Sequence, residues 1–220
     1  MVTVVKIGGS LFPEHTEQLC ETLVESNEKI VLVNGGGQLA NKLREYDEKY
    51  HYSDEVNHWN AITCMDIIGN CIADKNEHIQ TVRSLEDIEK VHKQDGIPLL
   101  LCYDLLKRKN PLENSWNITS DSIACWLAHK INAKLLILSN VDGIYNGSIS
   151  SNNKKLVRKI RAEKLLFFKE TCVDKCLPKL LINYNLNCYV MNGKYPDRVL
   201  NHLNSDKIIN NYYTKIIGEE

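Results

Sequence analysis

Two short apolar runs, each cut off by glycines, constrain this chain more than any other feature. Val2 to Ile7 is rich in β-branched residues and stops at Gly8, Gly9 and Ser10; Lys29 to Val33 repeats the pattern and stops at Gly35, Gly36 and Gly37. Runs this short, without polar alternation, suit strands covered on both faces, as in the interior of a parallel sheet. A glycine beyond each strand lets backbone N–H groups converge and lets a phosphate come close. The second cluster also precedes a helical pattern, Gln38 to Tyr50, whose first turn offers unpaired donors and a favourable dipole to an anion. Either cluster alone reads equally as a tight turn. Two of them at strand ends, one beside a lysine, favour phosphate binding.

The rest of the chain continues the alternation. Helical spacing is predicted over Glu14 to Ser26, Val56 to Ile72, Ser120 to Ile131, Val173 to Tyr184 and Asp197 to Leu203. Apolar strands are predicted over Ile97 to Tyr103, Lys134 to Ser139, Cys188 to Met191 and Thr214 to Ile217. The polar stretch Ile149 to Val157 reads as an exposed hairpin or loop. Strands alternating with helices give an α/β protein with a mainly parallel sheet between helical layers. No repeat or low-complexity linker divides it, so one domain over residues 1–220 is expected.

Composition removes several classes of function. The 220 residues carry a formal net charge of −1, which gives no general attraction to nucleic acid or anionic lipid. No uninterrupted apolar stretch is long enough to span a bilayer, and the N-terminus runs straight into a core strand, so a cytoplasmic protein is expected. The eight cysteines form no CxxC pair; reduced, mostly buried thiols are expected rather than disulfides or a metal site.

A few polar residues stand where chemistry is possible. Lys6 lies on the first core strand, where an ammonium is costly unless it reaches a partner at the strand end. A cation among phosphates is one use, since phosphoryl transfer needs charge stabilisation more than covalent chemistry; a snorkelling edge-strand lysine is the alternative. Thr119, Ser120, Asp121 and Ser122 stand at a helix start, where capping explains any one of them. Together they also suit a polar site beneath a phosphate, with Asp121 orienting lysine or magnesium. Asp142 and Gly143 end a strand at the carboxyl edge of the sheet, where α/β folds bind ligands. Trp59, Trp116 and Trp126 read as core or pocket walls, and His58 as a possible substrate contact. Neither glycine cluster is a Walker A loop or a GxGxxG fingerprint.

In order along the chain, Lys6-Ile7-Gly8-Gly9-Ser10, Gly35-Gly36-Gly37, Ile118-Thr119-Ser120-Asp121 and Val141-Asp142-Gly143-Ile144-Tyr145 resemble the amino acid kinase family. The resemblance implies that family's three-layer α/β/α sandwich, with ATP as phosphoryl donor, magnesium, and a homo-oligomer. It implies that Lys6 binds the transferring phosphoryl group, that Gly8, Gly9 and Ser10 hold ATP phosphates, and that Gly35, Gly36 and Gly37 face the substrate. Asp121 would organise the catalytic cations, Asp142 and Tyr145 would border the nucleotide, and His58 and Ser120 would contact substrate. The N-terminal part would face the acceptor and the C-terminal part the nucleotide.

A narrower resemblance lies in His58 to Ile62, Ser115 to Ser122, Thr171 to Asp174, Val190 to Gly193 with Pro196 to Val199, and Tyr213 to Ile216. These are similar to the branch acting in methanofuran biosynthesis, whose members phosphorylate an aminomethylfuran phosphate monoester to the diphosphate. Uridylate, isopentenyl phosphate or a carboxylate remain alternative acceptors, and a non-catalytic nucleotide-binding subunit is an alternative of another class. The chain departs from the family where a Gly-Met segment usually precedes a second catalytic lysine. Spacing gives Lys179 that role, while Lys175 and Lys179 read equally as surface residues of a helix, with Arg198 or magnesium able to compensate.

Overall fold

The computed structural model describes residues 2–146, 155–204 and 212–218. Its elements, in chain order, are β1 (Val2–Ile7), α1 (Thr16–Val24), β2 (Lys29–Asn34), α2 (Gly37–Tyr50), α3 (Asp54–Asp74), β3 (Ile79–Val82), α4 (Leu85–His92), β4 (Ile97–Leu100), α5 (Cys102–Lys109), α6 (Ser120–Lys130), β5 (Lys134–Ser139), β6 (Tyr145–Asn146), β7 (Lys155–Leu156), β8 (Lys159–Arg161), α7 (Ala162–Leu165), α8 (Leu177–Tyr184), β9 (Cys188–Asn192), α9 (Pro196–Asn204) and β10 (Tyr213–Ile217).

Eight strands form one sheet in the order β3-β4-β2-β1-β5-β9-β10-β8. Every pairing is parallel except β9 with β10. The two glycine-terminated runs are neighbours at its centre, β1 pairing with β2 along its whole length and with β5 on the other side. Apolar helices and strands meet on both faces. Val4 packs in one cluster with α3, α5, α6 and α8 residues such as Trp59, Leu105, Trp126 and Leu181, whereas Val5 and Ile7 pack in the other with Leu19, Leu23 and Val199 from α1 and α9. The expected sandwich is therefore present. Its chain order reverses at β1, since β2 lies to one side and β5 to the other. Parallel sheets open a crevice beyond the strand ends at such a point.

Several boundaries differ from expectation for identifiable reasons. Helix α8 begins at Leu177 rather than Val173, because the carboxylate of Asp174 accepts the N–H groups of Cys176 (3.1 Å) and Leu177 (2.8 Å) from outside the helix. The predicted strand 97–103 stops at Leu100, and α5 starts at Cys102, whose N–H is received by Asp66 of α3 at 2.6 Å. Of the predicted polar segment 149–157, residues 149–154 lie outside the described ones; Lys155 and Leu156 pair antiparallel with Asn146 and Tyr145. Five cysteines are buried and Cys71 is exposed; all eight are free thiols.

Candidate active site

Strand geometry places the lysine. Successive side chains of β1 point to opposite faces, so Lys6 shares the face of Val4, against which α6 packs. There its Nζ lies 2.6 Å from Asp121 Oδ1, the two side chains being 9 % and 5 % exposed. Lys6 is thus not an edge-strand residue but sits in the middle of the sheet. A buried ammonium is tolerated only with a close counter-charge, and the second residue of α6 supplies it. The other oxygen of Asp121 accepts the backbone N–H of Asp174 at 3.0 Å.

Asp174 binds the surroundings together. Its Oδ2 accepts N–H groups of Thr119 (2.9 Å) and Ser122 (3.0 Å) and the Thr119 hydroxyl (3.0 Å), while Oδ1 accepts the Ser122 hydroxyl at 2.6 Å and the N–H groups that open α8. One carboxylate therefore caps two helix N-termini, satisfying donors those helices cannot satisfy themselves. Burial and the neighbouring Asp121 push its pKa up, and the donors from Ser122 and Thr119 pull against that shift. Beside it, burial and then Asp121 raise the Cys172 thiol to about 12, so Cys172 stays protonated.

The glycine clusters meet beside Ser120, the residue before Asp121; Lys6 and Asp121 themselves are not among the residues that line the two neighbouring clefts. A methyl group on Gly9 would lie 2.6 Å from Gly37 Cα, and one on Gly35 would lie 2.7 Å from Gly9 N and 3.3 Å from the Ser120 hydroxyl. Gly37 has φ +52°, a left-handed conformation that favours glycine, and its Cβ position lies 3.0 Å from Ile68 Cδ1. The two loops approach backbone to backbone, which no side chain would permit. Gly8 donates its N–H to Leu138 O at 2.8 Å, and Gly35 donates to Ile7 O at 2.8 Å, anchoring both loops to the central strands.

These loops form one wall of a cleft of about 440 Å³. It is lined by Gly9, Ser10 and Gly35 to Gly37, by His58, Ala61, Ile62 and Met65 of α3, by Trp116, Ile118 and Thr119 ahead of α6, and by Ser120 at its start. Phe12, Glu14 and Arg44 also line it. His58 is buried, and burial lowers its pKa, which favours the neutral ring. Trp116 donates its ring N–H to Asp47 at 2.9 Å and lies under the Arg44 guanidinium, 4.8 Å from its centroid. Trp59 and Trp126 are buried core residues. A second cleft of about 540 Å³ shares Arg44, Trp116 and Thr119 and extends over Thr171, Asp174, Lys175 and Lys169.

The remaining candidates occupy other positions. Asp142 lies beyond β5, where Arg198 approaches it at 3.6 Å and Asn192 donates to it at 3.2 Å. The Arg198 guanidinium lies over the rings of Tyr195 (3.9 Å) and Tyr212 (4.2 Å), and Tyr145 hydrogen-bonds Asp142. Arg198 is thereby committed to this cluster rather than to the Lys6 pair. The structure does not bring Lys179 to either cleft: it is exposed at the third position of α8. Lys175, in the loop that Asp174 holds, does line the second cleft.

Sequence reasoning passed over Asp174 and Asn34 as site residues. Asn34, buried, donates its amide to Met65 O (2.7 Å) and Gly35 O (3.2 Å), tying the glycine loop to α3. A polar residue between an apolar strand and three glycines was the available signal. For Asp174 it was an acid three residues ahead of a helical run.

The amino acid kinase family model matches residues 1–174. The chain belongs to the amino acid kinase family. It is 35 % identical over 220 residues to the [5-(aminomethyl)furan-3-yl]methyl phosphate kinase of Methanocaldococcus jannaschii, a match that covers 98 % of this chain and 97 % of that one. Among solved structures, the uridylate kinase of Archaeoglobus fulgidus superimposes with a TM-score of 0.74 at 18 % identity, over 98 % of this chain and 100 % of that one. The UMP kinase of Ureaplasma parvum gives 0.74 at 16 %, covering 99 % and 98 %. At these identities the two structures establish the shared amino acid kinase fold.

Proposed function

We propose that this chain is an ATP-dependent kinase that adds a phosphoryl group to a small phosphate monoester, [5-(aminomethyl)furan-3-yl]methyl phosphate, yielding the diphosphate. The observation that carries the proposal is the buried Lys6–Asp121 pair, with two glycine loops in backbone contact at Gly9, which follows Lys6 on the chain, and at Gly35, next to Ser120. The near full-length relative supports the choice of acceptor.

The acceptor occupies the cleft between the Gly35–Gly37 loop and α3, and ATP approaches from the side of Asp142 and Tyr145. An oxygen of the acceptor phosphate attacks the γ-phosphorus in line as the bond to the ADP oxygen breaks. The new bond is a phosphoanhydride, and ADP leaves with the electron pair. A phosphate monoester is largely dianionic near pH 7, its second pKa being about 6, so its oxygen is already a nucleophile and no side-chain base is required. That agrees with the contacts of Asp121, which is occupied by Lys6 and by the Asp174 N–H. Its part is to fix the ammonium, and the ammonium, with the loop N–H groups, stabilises charge on the transferring group. Asp174 holds the start of α6, and hence Asp121, in register.

Magnesium fits this arrangement as an ion carried by the nucleotide. Among the described residues no group of three His, Cys, Asp or Glu side chains is placed to hold a metal, and Mg²⁺ at such sites takes one or two carboxylates, with phosphates and water completing its shell. On the proposed nucleotide side Asp142, held by Arg198, Asn192 and Tyr145, is the carboxylate that would contact such an ion. When bound, the ion would neutralise charge on the phosphate chain.

The test is a panel of acceptors with ATP and magnesium: the aminomethylfuran monophosphate, UMP, isopentenyl phosphate and a simple carboxylate. ADP release and ³¹P NMR of the product are followed together. Turnover to a diphosphate with the furan ester supports the assignment; preference for UMP or isopentenyl phosphate moves the acceptor, and no turnover with any of them refutes the kinase.

A further inference from the structure

The acceptor cleft carries one charge that phosphoryl transfer does not explain. Apart from His58, whose neutral form burial favours, Glu14 and Arg44 are its charged lining residues. An arginine suits a cleft that receives phosphates; a glutamate repels them. Glu14 is also unspent, since among the described residues its carboxylate takes part in no ion pair or hydrogen bond. Its backbone is nonetheless fixed. His15 N–H bonds Leu11 O at 2.9 Å, and the Thr16 hydroxyl bonds Pro13 O at 3.0 Å, so the turn carrying Glu14 is bound to both the Gly9–Leu11 segment and α1. Exposed Glu14 stands beside half-buried Phe12 at the mouth of the cleft.

We propose that Glu14 is a specificity-determining residue that receives a cationic group of the acceptor, selecting phosphate monoesters that also carry a protonated amine. The proposal rests on the kinase reading and names the class of acceptor it takes. A phosphate at the glycine loops and an ammonium at Glu14 place opposite charges at opposite ends of one small molecule, with Phe12 and Trp116 available to its ring. A purely anionic ester would meet Glu14 as a like charge, so the same carboxylate also rejects competitors.

The experiment compares two acceptors, [5-(aminomethyl)furan-3-yl]methyl phosphate and the analogue with methyl in place of aminomethyl, on the unaltered chain, Glu14→Gln and Glu14→Asp. An ion pair to an exposed carboxylate is expected to contribute about two- to fivefold. Glu14→Gln should lose that factor in kcat/KM for the amine, chiefly through KM, while kcat/KM for the methyl analogue rises and the KM for ATP is unchanged; Glu14→Asp should retain part of the preference for the amine. Equal effects on both acceptors, or none on either, overturn the role of Glu14 while leaving the kinase intact. Absence of turnover of both by the unaltered chain overturns the functional reading and this assignment with it.

Discussion

Replacing Gly9 by alanine tests whether the contact between the two glycine loops is functional. The added methyl would stand 2.6 Å from Gly37 Cα. Non-bonded carbons settle at about 3.5–4.0 Å, so the loops must separate by roughly 1 Å. Neither can retreat freely: Gly8 is bonded to β5 through Leu138 O, and Gly37 lies 3.0 Å from the Ile68 side chain as seen from its own Cβ position. Overpacking of this kind lowers stability by about 1–3 kcal/mol. A displacement of about 1 Å between reacting groups lowers turnover by about a hundredfold. Gly96→Ala is the control, since its methyl would meet Val91 Cγ1 at 2.9 Å, remote from the cleft. Both variants should melt at lower temperature in circular dichroism, but in an ADP-release assay only Gly9→Ala should lose kcat. A folded Gly9→Ala enzyme turning over like the unaltered chain would show that the close contact of the two loops is not needed for turnover.

Other perturbations separate stability from chemistry. Lys6→Met strands the Asp121 carboxylate in a buried site and should lower unfolding free energy by about 3–5 kcal/mol in urea titrations; an unchanged midpoint would mean that the pair is not buried in solution. Asp66, half-buried, has its pKa raised by burial from 3.8 to about 6. The folded state therefore holds its proton more tightly than the unfolded one, and this contribution is complete below pH 3.8 and is lost as pH rises through about 6. Asp66→Asn should remove that component of the pH dependence of stability between those limits. A difference between the variant and the unaltered chain that stays constant over this range would contradict the shift.

What could be read from the sequence was local. The strands β1, β2, β5 and β9 are mostly apolar runs, with Lys6 the exception that stands out in β1, and the glycines that end the first two identify themselves by position. The strand β3 escaped notice because Ile79–Val82 is four residues with two exposed polar ones between buried ends, too short for a period to show. Helix α4 was likewise not predicted, although Ser84, whose hydroxyl accepts the Asp87 N–H at 3.2 Å, was an available start signal. The starts of α5 and α8 could not be read from neighbouring residues. Asp66 lies 36 residues before the N–H it receives, and Asp174 joins α6 to α8 across more than fifty. The same limit applied to the site. Lys6 and Asp121 could be nominated one by one, but their pairing depends on α6 packing over the face of β1 that the strand period assigns to Lys6. Lys179 was nominated by spacing, and the delayed start of α8 leaves it exposed.

In the proposed reaction the Lys6 ammonium acts on a migrating phosphoryl group rather than merely neutralising Asp121. The double variant Lys6→Met with Asp121→Asn removes both charges together, so its stability should recover most of what Lys6→Met loses. The decisive quantity is its kcat with ATP and the furan monophosphate. A fall of about a thousandfold in a protein that melts near the unaltered chain is predicted; turnover comparable to the unaltered chain would contradict the account.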